Sequence, residues 1–192
     1  MSGGAPSQPT ADRERLLELL TRLAYEKRKV TLSSGRESDF YLDTKQASLT
    51  AEGHVLVGRL VMAEIRAHFA GARAVGGMTM GADPIASAAA LTSFLESPPG
   101  IPAFYVRKEP KGHGTGQWLE GKKSIPKGAA VAVVEDVVTT GASTLKAVER
   151  VRSEGFSVLG VVALVDREEG GRQAVEASGI PLRALFRRSD FP

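Results

Sequence analysis

Two adjacent acids and a hydroxyl-rich turn stand together in the stretch VAVVEDVVTTGAST, residues 131–144. The stretch opens with a short apolar run, which is typical of a strand buried on both faces of a parallel sheet. Small residues with hydroxyls follow the acids, and Leu145, Val148 and Val151 then recur at helical spacing. N–H groups at the start of a helix bind anions, and the helix dipole favours negative charge there. Residues 139–144 therefore predict a phosphate site, and Gly141 would let a phosphate approach the backbone closely.

The two acids, Glu135 and Asp136, need a separate explanation because carboxylates repel phosphate. Carboxylates can hold the vicinal hydroxyls of a sugar, either directly or through Mg²⁺. A phosphate site beside a diol site indicates a ribose 5-phosphate. The alternative is an ordinary strand end with an acid near the start of a helix.

A second group of candidate residues lies in the loop RKEPKGHGTG, residues 107–116. The whole stretch over residues 107–121 is long, glycine-rich and without apolar periodicity, which is typical of a lid or a linker. Residues 116–123 come close to a nucleotide-binding P-loop, but Lys123 occupies the Ser/Thr position and a turn follows instead of a helix, so we reject that motif. A solvated basic loop is one interpretation of the stretch. The other is a site for a polyanion, bound by Arg107, Lys108, Lys111 and His113.

The turn VGGMTMGADP, residues 75–84, predicts a second anion site. A short strand is expected to end in its glycine pair. Asp83 is a good helix N-cap, and Pro84 suits the first helical position. Backbone N–H groups around residues 79–81 could then hold an anion. A purely structural strand-to-helix turn is the alternative.

Phe40, Tyr41 and Arg167 complete the candidate residues. Phe40 and Tyr41 lie in a short strand that forms a hairpin with residues 30–36. Arg167 follows a buried strand over residues 158–165, and an arginine at the carboxyl end of a parallel strand faces the ligand crevice. A plain hairpin over one end of the core is the alternative for the two aromatic residues. A surface salt bridge to a neighbouring glutamate is the alternative for the arginine.

Alternating helices and strands must position these candidates. Residues 11–26 carry an apolar helical stripe, Thr50 can cap a helix that reaches about residue 70, and an alanine-rich helix follows Pro84. The alternation predicts an α/β fold, a mostly parallel sheet flanked by helices. We expect residues 1–10 to form a disordered leader and residues 11–192 a single domain. Core strands are predicted over residues 75–77, 103–106, 131–134, 158–165 and 182–186.

Composition narrows the class of protein. The 192 residues include no cysteine, which excludes a disulfide framework, a thiol nucleophile and a thiolate metal site. With 25 basic and 22 acidic residues the net charge is only +3, which does not favour a nucleic-acid partner. The apolar runs are too short to span a bilayer, and the first residues lack an apolar signal core. We therefore expect no nucleic-acid or membrane partner and a cytoplasmic location.

The stretch VVEDVVTTG, residues 133–141, resembles the signature for phosphoribosyl pyrophosphate (PRPP) in the type I phosphoribosyltransferases. The loop RKEPKGHG and the hairpin segments TLSSGR and FYLD resemble those of the orotate-specific members of that family. The resemblance covers nearly the whole chain after the leader. It implies the type I phosphoribosyltransferase fold, with a small N-terminal hood over residues 11–48 and a core over residues 49–192. Ser33 and Met80 stand where many members have lysine.

The resemblance also implies a role for each candidate residue. Catalysis would involve Lys108, Lys111, His113 and Asp136. PRPP would be bound by Arg107, Lys108, Lys111, His113, Glu135, Asp136, Val137, Val138, Thr139, Thr140, Gly141, Ala142 and Ser143. Orotate would be bound by Phe40, Tyr41, Thr139 and Arg167. Mg²⁺ would be held through PRPP, with Glu135 and Asp136 as candidates for a supporting contact.

The implied reaction transfers the 5-phosphoribosyl group from PRPP to orotate, giving orotidine 5′-phosphate and pyrophosphate in pyrimidine biosynthesis. The implied assembly is a homodimer in which the basic loop reaches into the neighbouring subunit's site. One alternative is a phosphoribosyltransferase for a purine base or uracil, which the basic loop and Arg167 argue against. The other is a non-catalytic regulator that binds PRPP and nucleic acid, which would carry an added DNA-binding domain or a basic face.

Overall fold

In the computed structural model, which describes residues 8–31, 37–110 and 117–192, a six-stranded sheet runs through the centre of the molecule. A separate antiparallel hairpin, β1 with β2, lies near the start of the chain. The elements in chain order are α1 Gln8–Leu23, β1 Tyr25–Thr31, β2 Glu37–Leu42, α2 Lys45–Ser48, α3 Ala51–His68, β3 Val75–Met78, α4 Asp83–Glu96, β4 Ala103–Val106, β5 Leu119–Glu120, β6 Ala130–Val138, α5 Ala142–Ser153, β7 Ser157–Asp166, α6 Gly171–Ala177 and β8 Leu182–Arg187, with 3₁₀ turns at Lys122–Ser124 and Arg188–Asp190.

The central sheet confirms the prediction of a mostly parallel α/β fold. Its strand order is β5-β4-β3-β6-β7-β8, and every described pairing is parallel except that of the short edge strand β5 with β4. The chain moves from β3 to β4 in one direction and from β6 to β7 and β8 in the other. A crevice therefore opens between the carboxyl ends of β3 and β6, where the direction of winding reverses.

Strand β6 supplies side chains to two apolar cores. Val131 and Val133 belong to the cluster that includes α5 and α6, whereas Ala132 and Val134 belong to the cluster that includes α1, α3 and α4. All four side chains are buried, as expected for a parallel strand covered on both faces. The two acids that follow continue the alternation, so their side chains start out towards opposite faces of the sheet.

Helix α3 begins where it was predicted to begin. The side-chain oxygen of Thr50 accepts a hydrogen bond from the N–H of Gly53 at 3.0 Å, which confirms the predicted cap. A Cβ added at Gly58 would lie 2.6 Å from the carbonyl oxygen of Ala88, so the glycine lets α3 and α4 pack closely. Among the described residues, neither α3 nor any other helix is long and apolar enough to cross a membrane.

The first helix begins earlier than predicted. α1 starts at Gln8, so the predicted leader over residues 1–10 is wrong in its last three positions, and residues 1–7 lie outside the described residues. The helix also ends earlier, at Leu23 instead of near residue 26. It ends there because Tyr25 already pairs with Leu42 in the hairpin.

The prediction that Asp83 caps α4 is wrong. The cap position belongs to Ala82, no side chain caps the helix, and Asp83 is the first helical residue. Pro84 is therefore the second helical residue and not the first, although it still lies in the first turn. Strand β3 also runs further than expected, because Met78 pairs with Val106 of β4.

The stretch after β4 is more ordered at its far end than predicted. Leu119–Glu120 forms strand β5 against β4, and Lys122–Ser124 forms a 3₁₀ turn. Gly121 before that turn has a left-handed backbone, with φ 82°. A P-loop needs an α-helix at this point, so the structure confirms that the motif was rightly rejected.

Candidate active site

The candidate residues meet at the carboxyl ends of four parallel strands. Residues 139–144 follow β6, and Arg167 follows β7. Residues 79–81 follow β3, while Arg107 and Lys108 follow β4. In an open α/β sheet this edge, at the point where the winding reverses, is the usual place for a ligand.

Gly141 shapes the turn between β6 and α5. Its backbone lies in the left-handed region, with φ 80° and ψ −1°, which glycine adopts readily. A Cβ there would also lie 2.9 Å from the carbonyl oxygen of Gly171. The N–H groups that open α5 have no acceptor within the helix, and Thr140, Ala142 and Ser143 are exposed beside them. This end of α5 therefore has the form of a phosphate site.

Glu135 lies beneath that turn and points into the protein. Its side chain is only 4% exposed, and its Oε2 accepts hydrogen bonds from the hydroxyls of Ser143 and Thr144, both at 3.0 Å. Burial, reinforced by the negative charge of Asp136, raises the pKa of its carboxyl to about 8, although the two hydroxyl donors oppose the shift. The raised pKa favours the protonated carboxyl, and its two hydrogen bonds tie the turn to β6. A contact between Glu135 and ribose stays a prediction.

Asp136 is less buried and lies beside the turn after β3. Its carboxylate packs against Gly81, where an added Cβ would lie 2.3 Å from Oδ2. Oδ1 accepts a hydrogen bond from the N–H of Val137 at 2.9 Å, and the residue is partly exposed. Of the two predicted acids, Asp136 is therefore the one that lies beside the turn after β3.

Lys45 lies near Asp136, although sequence patterns did not single it out. It opens α2, and its Nζ is 2.5 Å from Oδ1 of Asp43. The hydrogen bond to Asp43 raises the pKa of Lys45 against the effect of burial, and the charges of Asp43, Asp136 and Tyr41 raise it further. A cation thus lies on the hood side of the crevice. In the sequence, the position of Lys45 just after the strand FYLD was the one feature that could have indicated a place in the site.

The turn after β3 forms one wall of a cavity of about 480 Å³. The peptide bond between Thr79 and Met80 is cis, and the N–H of Thr79 donates to the carbonyl of Val106 at 2.9 Å. Met80, where many relatives have lysine, is 66% exposed. Burial raises the pKa of the Asp83 carboxyl. The lining residues are Thr79, Met80, Asp83, Tyr105, Arg107, Lys108, Glu109 and Glu120.

A larger cavity, of about 710 Å³, is lined by parts of α3 and α4 and by residues 97–102. These segments lie at the amino ends of the strands, where residue 102 precedes β4. No residue predicted to bind or react lines it. The smaller cavity is therefore the one that bears on function.

Both ends of the basic loop are fixed to the rest of the protein. The N–H of Arg107 donates to the carbonyl of Trp118 at 2.8 Å, which closes the base of the loop. Arg150 of α5 donates to the carbonyl of Arg107 at 2.7 Å and lies 4.1 Å from the ring centre of Trp118. Glu154 accepts from the N–H of Trp118 at 2.8 Å. Sequence patterns missed Arg150 and Glu154; their helical spacing of four residues was the only available signal.

The structure describes two of the four basic side chains predicted to bind a polyanion. Arg107 is paired with Glu120 at 2.9 Å, and Lys108 is exposed at the rim of the smaller cavity. Lys111 and His113 lie outside the described residues, so their roles stay predictions. Ser33 lies outside them as well.

Arg167 connects the core to the hairpin. Its N–H donates to the carbonyl of Val138 at 2.9 Å, which brings Arg167 beside Thr139. The guanidinium, in a residue only 7% exposed, donates through Nη2 to the carbonyl of Phe40 at 2.9 Å. Its Nε lies 3.0 Å from Oε1 of Glu169. The salt bridge considered as an alternative is therefore present, and the same guanidinium also reaches the hood.

Phe40 and Tyr41 occupy opposite sides of β2, as neighbours in a strand must. The Phe40 ring is 3% exposed and packs among other aromatic rings, whereas Tyr41 is half-buried. The charge of Tyr41 contributes to the raised pKa of Lys45, and the centre of the Tyr41 ring lies 3.9 Å from the guanidinium carbon of Arg28. Phe40 meets Arg167 through its carbonyl.

The carboxylates suit a metal ion that arrives with a substrate. Within the described parts of the chain, no three acidic or histidine side chains form a metal cage. Asp136 keeps a partly exposed carboxylate at the crevice, whereas Glu135 is enclosed. Mg²⁺ characteristically uses one or two carboxylates together with substrate phosphates and water, and this donor set fits that pattern.

Comparison with known proteins agrees with this geometry. Residues 57–176 match the family model described as the phosphoribosyl transferase domain. An orotate phosphoribosyltransferase from Sorangium cellulosum is 52% identical over 181 residues, which cover 94% of this chain and 93% of the relative. The chain belongs to the orotate phosphoribosyltransferase family. The matched domain begins in α3 and ends in α6, and the full-length relative extends the family match over the hood.

Solved structures of orotate phosphoribosyltransferases share the fold. The Mycobacterium tuberculosis enzyme in complex with Fe(III) dicitrate superposes with a TM-score of 0.79 at 42% identity, covering 93% of this chain and 98% of that one. Its complex with PRPP gives a TM-score of 0.72 at 41% identity, again covering 93% and 98%. The type I phosphoribosyltransferase fold with an N-terminal hood, expected for an orotate phosphoribosyltransferase, is therefore confirmed.

Proposed function

We propose that this chain transfers the 5-phosphoribosyl group of PRPP to orotate, with release of pyrophosphate. The observation that carries the proposal is the convergence of three sites at one edge of the sheet. The turn that opens α5 suits a phosphate, Asp136 suits a ribose diol, and Arg167 suits the carboxylate of orotate. A purine base has no carboxylate for Arg167 to bind. As a step of pyrimidine synthesis, the reaction is proposed to take place in the cytoplasm.

In the proposed reaction the bond between C1 of the ribose and pyrophosphate breaks, and N1 of orotate forms the new bond. The ribose carbon becomes cation-like as the leaving group departs, so the protein must stabilise the leaving charge and exclude water. Residues 139–144 would hold the 5-phosphate. The leaving pyrophosphate would be bound by Arg107, Lys108, Lys111 and His113. No side chain need act as a base, because orotate loses its N1 proton readily.

We propose Mg²⁺ as the metal ion, bound mainly through the oxygens of PRPP. When bound, it neutralises charge on the pyrophosphate group as that group leaves. Asp136 is the residue placed to support it or the ribose hydroxyls from the crevice. Glu135, protonated near neutral pH and hydrogen-bonded to the turn, would instead keep the phosphate site in shape.

We propose that the chain works as a homodimer whose basic loop serves the neighbouring subunit. Helices α3 and α4 pack together and expose large apolar side chains, a property typical of surfaces that bind another protein. These side chains are Val55, Leu91, Phe94 and Leu95. A two-fold dimer would bury the same surface on both subunits.

Loop sharing has a direct test in mixed dimers. Lys111→Ala and Asp136→Asn chains should each be nearly inactive alone. In a mixed dimer with shared loops, one site receives both defects and the other receives neither. Under random pairing, activity should return to about a quarter of wild type if sites act independently. Mixed dimers that form without recovering activity would show that each loop serves its own subunit.

The reaction itself is tested with PRPP and a panel of bases. Orotate absorbance should fall only when PRPP and Mg²⁺ are both present, and pyrophosphate should appear in equal amount. Adenine and uracil serve as matched controls with the same PRPP and metal. Turnover of adenine or uracil, but not of orotate, would show that orotate is not the substrate. Binding of PRPP without turnover of any base would favour a regulator.

A further inference from the structure

The segment that follows β8 packs directly against the hood. Phe191 is 8% exposed, and its ring lies 5.5 Å from the ring of Phe40 in an edge-on arrangement and 5.8 Å from that of Tyr25. The rings of Tyr25 and Phe40 are themselves 5.1 Å apart. The three rings thus form one aromatic cluster, and aromatic pairs at these distances and angles favour defined relative orientations.

Polar contacts from the same segment reach both sides of the proposed orotate site. Arg188 donates to Oδ1 of Asp39 at 2.5 Å, immediately before Phe40 in the hood. The N–H of Ser189 donates to Oε2 of Glu168 at 3.1 Å, immediately after Arg167 in the core. Residues 188–191 therefore link the strand that carries Phe40 to the loop that carries Arg167.

Phe40 contacts both this segment and Arg167. The Arg167 guanidinium is 5.2 Å from the centre of the Phe40 ring and donates to the Phe40 carbonyl at 2.9 Å. Arg188 approaches the same ring at 5.5 Å. If the Phe191 ring were removed, Phe40 would lose a packing partner and could shift. The guanidinium bonded to its carbonyl would then shift as well.

We propose that Phe191 is a positioning residue for orotate: by holding Phe40, it fixes the Arg167 guanidinium in the orientation that meets the orotate carboxylate. The proposal rests on the proposed function, because it assigns Arg167 to orotate. PRPP binding should depend little on Phe191. The phosphate turn is held by separate contacts, namely those of Glu135 with Ser143 and Thr144.

The test compares truncation of two equally buried phenylalanines. Phe156 is also 8% exposed but belongs to the other core cluster, at the start of β7. Phe191→Ala should raise the KM for orotate about tenfold, since small misplacements of a substrate-positioning group weaken productive binding, while the KM for PRPP stays within about twofold. Phe156→Ala should lower the thermal midpoint comparably but change neither KM selectively. Phe191→Tyr, which keeps the ring, should restore the orotate KM.

The possible results distinguish a positioning role for Phe191 from a purely stabilising one. If Phe191→Ala does not fold, Phe191→Leu replaces it, and a selective rise in the orotate KM is still required. Equal rises in both KM values, or a selective rise for Phe156→Ala as well, would reduce Phe191 to a stabilising residue. An unchanged orotate KM would overturn the proposal while leaving the reaction intact. A wild-type chain that does not use orotate would instead overturn the proposed function.

Discussion

Replacing Gly81 by alanine tests the placement of Asp136 directly. A Cβ added at Gly81 would lie 2.3 Å from Oδ2, 2.4 Å from Cγ and 2.6 Å from Oδ1 of Asp136. Ordinary contacts of a Cβ begin at 3.4 Å, so the carboxylate and the methyl group must separate by about 1 Å. The Asp136 backbone is held in place, because Glu135 and Val137 on either side of it both pair with β7.

The carboxylate must therefore rotate away, or the turn after β3 must move. Both movements separate Asp136 from the place where ribose and pyrophosphate would bind. A displacement of about 1 Å in a positioned group can reduce rate about 100-fold, and we expect kcat/KM for PRPP to fall by about that factor. The fold should persist, because the clash involves a side chain at the edge of the crevice.

The assay follows the loss of orotate absorbance at varied PRPP, with circular dichroism to check folding. Gly71→Ala is the matched control, because a Cβ there would meet only Cδ1 of Leu159 at 3.7 Å, an ordinary contact. The decisive comparison is in an Asp136→Ala background, where the clashing atoms are absent and Gly81→Ala should cost little more. If turnover there is too slow, the dissociation constant of PRPP measured by calorimetry makes the same comparison. Full activity in Gly81→Ala, or an equal further loss in the Asp136→Ala background, would refute the reasoning.

Three further predictions concern charge and assembly. Arg167→Ala should raise the KM for orotate about thirtyfold or more with less effect on PRPP, since losing one member of a desolvated charge pair costs roughly 2–5 kcal/mol. An unchanged orotate KM would leave Arg167 a structural role, in its contacts with Glu169 and the Phe40 carbonyl. Burial raises the pKa of the Glu135 carboxyl from its ordinary value of 4.5 to about 8, so between these pH values the folded state retains a proton that the unfolded state has lost. Stability should therefore fall as pH rises through this window, and Glu135→Gln, which cannot ionise, should show a smaller drop in thermal midpoint from pH 6 to pH 9; equal drops would contradict the buried proton. Leu95→Asp should convert the proposed dimer to monomers in sedimentation and reduce activity, whereas an unchanged assembly would place the interface away from α4.

Local patterns in the sequence predicted much of this fold, because they reflect local physics. The apolar run from Val131 to Val134 predicted a strand buried on both faces, and the structure distributes those side chains between two cores. The hydroxyl of Thr50 predicted a helix start, since a cap needs only an oxygen within reach of the first N–H groups. The error at Asp83 arose because the carbonyl of Ala82 already accepts a hydrogen bond from the N–H of Ala86, so the helix begins one residue earlier without a side-chain cap.

The candidate site was predictable in its residue types but less so in their orientation. A pair of adjacent acids does not reveal which one is buried; only the packing of α5 against β6 encloses Glu135 and leaves Asp136 at the crevice. Arg150 contacts Arg107 and Trp118, which are distant in sequence, and Lys45 is near Asp136 only in the folded chain, so neither belongs to a recognisable motif. Phe191 likewise reaches Phe40 only because the last strand, β8, ends beside the hood.

The closed base of the basic loop allows the length and sequence of the loop to change without disturbing the sheet. Arg107 and Trp118 are bonded to each other and held by α5, so β4 and β5 keep their pairing whatever lies between those two residues. Extending a loop whose ends are already joined costs only about 0.6 kcal/mol for each doubling of its length. The loop can therefore be lengthened, shortened or exchanged with that of a relative while the sheet remains as it is. The reach of its charged side chains and the stability of the fold can thus vary independently.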